Sequence, residues 1–344
     1  MPDIVAVAFY QLGYRPHESV VLVGLHGPRL RVGVVIRGDL PPPSEQRRLI
    51  AGHLEALRRH GHDHAIALVV TEAAVQATPS GPLRLPHRTF VRRLRRGAPD
   101  HGLHLLEVLA VGPSRWRSYS CTDPACCPAD GFPLEEALNG RAAAEFVALG
   151  RVLADDEAGL VADVEPGPAG PSSIGEPLPL TRGDAERMLR RWRELLARPE
   201  TATPADLDRL AGALHHPGLR DSVLLTLIPD SGRVPDELVA GVHGGVTDAV
   251  FETPPDRELL ERGRKVLSAV ARSAPPGRRA DALALLAWAA WWAGHGTRGR
   301  LLAGCALDDV PDHGLASLID RLLALGIAPE WARGGRADAE GPIG

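Results

Sequence analysis

The chain has 344 residues, 44% of them hydrophobic and 24% charged, with a formal net charge of −4. That length suits two domains, each able to bury its own core. The acidic balance argues against a general nucleic-acid binder, which needs excess cations to displace phosphate counterions. No segment reaches the roughly 18 uncharged apolar residues that a membrane span requires.

Residues 3–13 read as a short helix that Gly13 ends as a C-cap. Val20 to Leu25 is a continuous apolar run, the pattern of a strand buried on both faces. The turn at His26-Gly27-Pro28 leads into a second strand over 31–37, giving a hairpin. Ser44 is placed to cap a helix to about Arg59 with an apolar stripe of Leu49, Ile50, Leu54 and Leu57. A third strand follows at 65–70, a helix around 86–96, and strands near 104–111 and 115–121. A helix from Leu134 to Leu153 closes this part. Strands interleaved with helices give an α/β domain with a mixed sheet over 1–162.

Residues 163–179 are dense in Pro, Gly and Ser and read as an extended linker. Helical patterns then run through an all-α domain over 180–334, before a disordered tail at 335–344. Its last helices, around Trp288, Trp291 and Trp292 and the Asp309-Val310-Pro311-Asp312 turn, carry small residues against bulky ones. One tetratricopeptide-like helix pair fits them, but a single unit is not an array, and an ordinary helical domain is preferred.

Lys265 is the sole lysine and Asn139 the sole asparagine, a skew that reports a GC-rich genome. The start of the chain lacks the basic and apolar regions of a signal peptide. Four cysteines in so long a chain are no secreted disulfide framework. The protein is therefore expected in the cytoplasm with reduced thiols.

The densest concentration of rare side chains is Arg115-Trp116-Arg117-Ser118-Tyr119-Ser120-Cys121, followed by Cys126-Cys127-Pro128 and Gly131. Strand alternation puts Trp116, Ser118 and Ser120 on one face and Arg117, Tyr119 and Cys121 on the other. Structural zinc usually takes four ligands, and neighbouring Cys126 and Cys127 are poorly placed to face one ion, so no metal or other cofactor is expected. A reactive thiol at Cys126 or Cys127, with Arg115 or Arg117 stabilising the thiolate, is one reading; a redox pair with Cys121 is a second. Packing of the thiols beneath the turn is favoured over both.

His60-Gly61-His62-Asp63-His64 resembles a metal cluster but falls where a helix gives way to a strand, and reads as capping and turn residues. The arginine run from Arg88 to Arg96 reads as a solvated helix face. Glu18, Arg37 and Asp39 stand at the mouths of the first two strands, where open α/β sheets commonly bind ligands. A surface turn is the preferred reading there, unless a pocket forms with Trp116 and Tyr119. No nucleotide-binding loop, zincin motif or nucleophile elbow occurs.

Residues 12–25, from Leu12-Gly13-Tyr14-Arg15-Pro16-His17-Glu18-Ser19 through the first strand, resemble the DUF4192 family of high-GC Gram-positive bacteria. So do Arg31-Val32-Gly33 with Arg37 and Asp39-Leu40, the segment Arg115 to Gly131, and the stretch ending at Gly296. The resemblance covers nearly the whole chain and implies no activity, cofactor or catalytic residue. Arg117 stands where the family often shows a second Trp, so the resemblance implies a surface there that is less than fully aromatic. The combined expectation is a cytoplasmic, non-catalytic binding or regulatory protein, with a small ligand or protein partner near 115–131. A thiol-dependent enzyme using Cys121, Cys126 or Cys127 is the alternative.

Overall fold

The computed structural model describes residues 2–75, 85–167, 180–242 and 248–334. The chain divides into two compact units between Gly159 and Leu160. The first is an α/β unit with a mixed sheet and the second is built of helices. Among the described residues no helix is long and apolar enough to cross a membrane.

In the first unit α1 (Pro2–Leu12) ends at Gly13, which takes the left-handed φ of 86° expected of a C-cap glycine. Strands β1 (Ser19–His26) and β2 (Arg31–Asp39) form the hairpin, and α2 (Gln46–Arg59) leads to β3 (His64–Val70). Helix α3 (Arg88–Asp100) crosses over to β4 (His104–Val111), which β5 (Arg115–Ser118) and β6 (Phe132–Pro133) extend. The six strands lie in the order β2-β1-β3-β4-β5-β6. Only the β3–β4 pair is parallel, and it is the pair joined through a helix.

The pleat sorts the apolar run of each central strand between two faces. Val20, Leu22, Ala67, Val69 and Val108 meet Ile50, Leu54 and Leu57 of α2 and Phe90 and Leu94 of α3. Val21, Val23, Leu68 and Leu109 alternate with them onto the opposite face, and all four are buried. Burial on both faces is why these strands read as unbroken apolar runs.

Three local differences from the sequence reading have physical causes. Helix α2 starts at Gln46 with Glu45 at its N-cap and no side-chain cap bond, so Ser44 does not cap it. The helix expected over 134–153 is two, α4 (Leu134–Leu138) and α5 (Arg141–Ala148), broken at Asn139-Gly140, two poor helix formers. Gly150, with φ of 73°, follows the end of α5 and turns the chain out of the helical path.

The capping reading of 60–64 suits His60 and Gly61, but His62 enters the core. Its ring is fully buried, and Nε2 accepts a hydrogen bond from the Val34 N–H at 3.2 Å. The ring fills the space over two glycines: a Cβ on Gly33 would lie 2.0 Å from His62 Cε1, and one on Gly24 2.6 Å from Cδ2. Both glycines are thus conditions for burying the imidazole.

The second unit carries α6 (Arg182–Ala197), α7 (Pro204–Ala213), α8 (Pro217–Leu225), α9 (Val234–Val239) and α10 (Arg257–Ser273). Helices α11 (Ala280–Trp292), α12 (Gly296–Asp309), α13 (Gly314–Ala324) and the short α14 (Glu330–Gly334) complete it. Capping boxes at Thr181–Asp184 and Thr203–Asp206 start α6 and α7. Helix α11 is the core: every residue from Ala280 to Ala290 is buried, and so is Trp292. Trp288 and Trp292 stack with centroids 5.3 Å apart.

Polar groups lock that core. Asp309 at the end of α12 accepts from the N–H groups of Gly277, Arg279 and Ala280, capping the start of α11. His313 Nδ1 accepts from the Ala316 N–H, so the proton sits on Nε2, 3.0 Å from Asp281 Oδ1. The reading of 163–179 as linker meets ordered structure at its start: Val164 is buried in the helical core, and Asp163 accepts from Arg298 Nη2 at 2.8 and 2.9 Å and from Ser268 Oγ at 3.0 Å. Arg264 Nη1 also donates to it. Residues 168–179 and the tail 335–344 lie outside the described residues.

Burial pushes the Asp163 carboxyl up, but the charges and hydrogen bonds of Arg298, Ser268 and Arg264 outweigh it and hold it below the ordinary carboxylate value. Its stabilisation is complete above that ordinary value and is lost as pH falls through the lowered one. Asp163→Asn is expected to cost about 1–3 kcal/mol in urea unfolding at neutral pH. The gap to wild type should close on acidification. Gly33→Ala is expected to cost about 1–3 kcal/mol by overpacking against His62. His62→Ala in the same chain should make that alanine nearly neutral, measured as a double-mutant cycle.

Candidate functional site

The segment 115–131 forms a site at one side of the sheet, and its shape follows from where β5 stops. The strand ends at Ser118, three residues earlier than its pattern suggests. Ser118 Oγ accepts from the N–H groups of Ser120 at 3.0 Å and Cys121 at 2.9 Å, which ends strand pairing with a local turn. The same hydroxyl donates to Glu107 Oε2 at 2.8 Å, and Ser120 Oγ donates to Glu107 Oε1 at 2.6 Å. Glu107 therefore fastens the turn to β4, and Arg95 of α3 donates to both Glu107 and Ser120.

This turn overrides the expected alternation. Cys121 joins Trp116 and Ser118 in lining one cavity. Tyr119 goes to the opposite face, packs near Val75, Leu85 and Ala110, and donates to the Pro86 carbonyl at 2.7 Å. Burial pushes its phenol well above the ordinary tyrosine value.

The next turn is organised by Asp123, whose carbonyl accepts from Cys126 N–H at 3.2 Å and Cys127 N–H at 2.7 Å. Its carboxylate accepts from Ala125 N–H at 2.9 Å. Arg117 is buried at 3% exposure, and its Nη1 donates to the carbonyls of Pro128 and Ala129, each at 2.9 Å. Its Nη2 reaches the Cys127 carbonyl at 3.3 Å. Arg115 Nη1 donates to the Gly131 carbonyl at 3.1 Å. Gly131 closes the loop with φ of 70°, where a Cβ would lie 2.8 Å from the Trp116 carbonyl oxygen. The hydrogen bonds of both arginines thus go to loop carbonyls and not to a sulfur.

The outcome is a cavity of about 490 Å³. Leu109, Trp116, Phe132 and Ala137 give it apolar walls, Glu107 and Glu136 contribute carboxyl groups, and the three cysteines complete it. The Trp116 and Phe132 rings stack at 4.7 Å. The buried Trp116 indole N–H has no hydrogen-bond partner among the described residues. The sulfurs of Cys121, Cys126 and Cys127 lie within 4.8 Å of one another. The expected divergence of Cys126 and Cys127 thus does not hold at the sulfur atoms.

The three thiols differ in access: Cys126 is exposed, Cys121 intermediate and Cys127 buried. Hydrogen bonding with Cys121 and repulsion between the charged forms push the Cys126 thiol up. Burial, then Cys121, pushes up Cys127 and outweighs the lowering by Arg117. Both directions run against thiolate activation, which needs a lowered value. No histidine lines the cavity.

Glu18, Arg37 and Asp39 do not line it either. Glu18 takes a positive φ of 33°, and its Oε1 accepts from Thr71 Oγ1 at 2.8 Å and from the Glu72 N–H at 2.7 Å. Burial raises its carboxyl, but those bonds and His87 win and hold it below the ordinary value. Arg37 donates to Ser19 Oγ at 3.0 Å and pairs with Asp39 at 2.7 Å. These residues tie the ends of β1, β2 and β3 together, and the structure does not gather Trp116 and Tyr119 with them. Glu107, Phe132 and Glu136 escaped the sequence reading. The available signal for Glu107 was a lone carboxylate in an otherwise apolar strand.

A family profile described as a domain of unknown function, DUF4192, matches residues 3–330. No curated protein and no solved structure matches the chain. On a match that spans both units, the chain belongs to the DUF4192 family.

Proposed function

We propose that the chain is a non-catalytic binding or regulatory protein whose small-ligand site is the cavity beside β4, β5 and β6. The observation that carries this reading is a cavity of about 490 Å³ with apolar walls, bordered by the stacked Trp116 and Phe132 rings. Such a volume is that of small-molecule pockets. The ligand is a small, mostly apolar body. Glu107 and Glu136 disfavour an anion there. The cysteines are free thiols, which supports a place in the reducing cytoplasm of a high-GC Gram-positive bacterium. The helical unit takes the protein-partner side of this role, and among the described residues it offers Val242, Leu318 on α13 and Leu325 just past that helix as exposed apolar side chains.

A thiol-dependent enzyme is the competing reading, favoured only by the proximity of the sulfurs. Its requirement for a depressed thiol value runs against the upward shifts of Cys126 and Cys127.

Thermal-shift screening of neutral and cationic small molecules tests the proposal. Compounds with a compact apolar body should raise the melting temperature of the wild type. They should leave Ala137→Leu, which fills the cavity, unmoved. Arg117→Met, which frees the loop carbonyls, should bind them at least about tenfold more weakly, since one buried hydrogen bond to a charged group is worth about 1.5–3 kcal/mol. Equal stabilisation of Ala137→Leu would overturn the assignment. Iodoacetamide should label Cys126 no faster than a free thiol at neutral pH; faster labelling would favour the enzyme.

A further inference from the structure

We propose that Cys121, Cys126 and Cys127 form a three-thiolate site for a thiophilic divalent cation of the Zn2+ class, with its fourth position open to the cavity. The inference stands on the sulfur cluster and does not require the cavity to take an organic ligand. A tetrahedral centre with Zn–S bonds of about 2.3 Å holds its sulfurs about 3.8 Å apart. The three sulfurs already lie within 4.8 Å of one another, so side-chain torsions of an angstrom or less complete the fit.

Two independent turns deliver this geometry from a spacing that sequence rules disfavour. The Ser118 hydroxyl folds Cys121 back toward the cavity, and the Asp123 carbonyl holds the N–H groups of Cys126 and Cys127 together. Adjacent residues within a tight turn need not diverge as they do along a strand. The loop is then pinned by Arg117 and Arg115 through four carbonyls at 2.9–3.3 Å. A framework held from outside is what a metal site needs for ligands to stay convergent.

Charge and donor type narrow the ion. Three sulfur donors exclude Mg2+ and Ca2+, which take oxygen ligands. Ligation releases the three thiol protons and leaves a divalent ion with three thiolates at a net charge of −1. The buried Arg117 guanidinium is hydrogen-bonded to the Cys127 carbonyl, and its contacts are otherwise carbonyls too. It forms no ion pair with a carboxylate among the described residues, so its charge, held beside the Cys127 backbone, is free to offset that of the centre. Cys126, the exposed ligand, gives the ion its way in. With three protein ligands the fourth position is left to water or to a donor atom in the cavity, which Glu136 also lines.

The test uses the full chain, reduced and stripped with chelator under inert gas, and titrated with Co2+ and then Zn2+. One equivalent of Co2+ should give a thiolate-to-cobalt charge-transfer band of the intensity for three sulfurs, with the visible bands of a tetrahedral ion. Zn2+ should bleach it. Even outer-shell changes cost metal sites roughly 10–100-fold in affinity. Cys126→Ser, at an exposed position that folding tolerates, should therefore weaken binding by at least about tenfold. Cys121→Ser should do the same, whereas Cys305→Ser should change nothing. Absence of the thiolate band at one equivalent, or wild-type affinity in Cys126→Ser, would overturn the proposal.

Discussion

Arg117 is a cation buried at 3% exposure whose hydrogen bonds all end on the carbonyls of Cys127, Pro128 and Ala129. A buried charge is costly unless its donors are satisfied, and here the Nη groups are met by a loop with almost no regular structure of its own, while Nε has no partner among the described residues. The dependence runs both ways. The loop has few ladder hydrogen bonds to hold it, so the guanidinium gives it a fixed course; the guanidinium could not be buried without those carbonyls. Arg115 repeats the device at Gly131, and Gly131 permits it by turning where a side chain would strike Trp116. Everything proposed for this region follows from that exchange, because the loop's course sets where Cys126 and Cys127 point and where the cavity wall stands.

A second constraint sits at the opposite end of the same segment. Glu107 receives hydrogen bonds from Ser118 and Ser120, and Ser118 in turn ends the strand. The carboxylate is thus a structural anchor more than a chemical group, while Glu136 remains the freer acid of the cavity. The result is a short edge strand with a fixed stop, which also limits the unpaired edge available to other chains. Strand termination and site construction are one event here.

The central architecture was legible because its signals are periodic. Val20 to Leu25 and Ala65 to Val70 are apolar without interruption since both faces of those strands are covered. The site was located by its rare residues but its geometry was not. Alternation predicts Cys121 beside Tyr119 and away from Trp116; a single serine hydroxyl reverses this, and no periodicity encodes that choice. His62 shows the same limit. Its neighbours in sequence suggest a cap, whereas its place is decided by Gly24 and Gly33 on two other strands. Long-range vacancies of this kind have no local signature.

The cavity and the sulfur cluster share walls but make different demands on the fold. A small apolar ligand needs Trp116, Phe132 and Leu109 to keep their places, which the stacked rings and the sheet ensure. A cation needs three sulfurs to hold a separation within a fraction of an angstrom, which only the pinned loop ensures. Loosening the loop would therefore abolish the second function before it blurred the first. Carbonyl bonds fix Arg117 in place but leave its charge without a carboxylate and its Nε–H without a partner among the described residues, and an apolar side chain of similar length would avoid that desolvation. The buried charge is accounted for if an anionic centre belongs beside it, and three thiolates on a divalent ion supply such a centre.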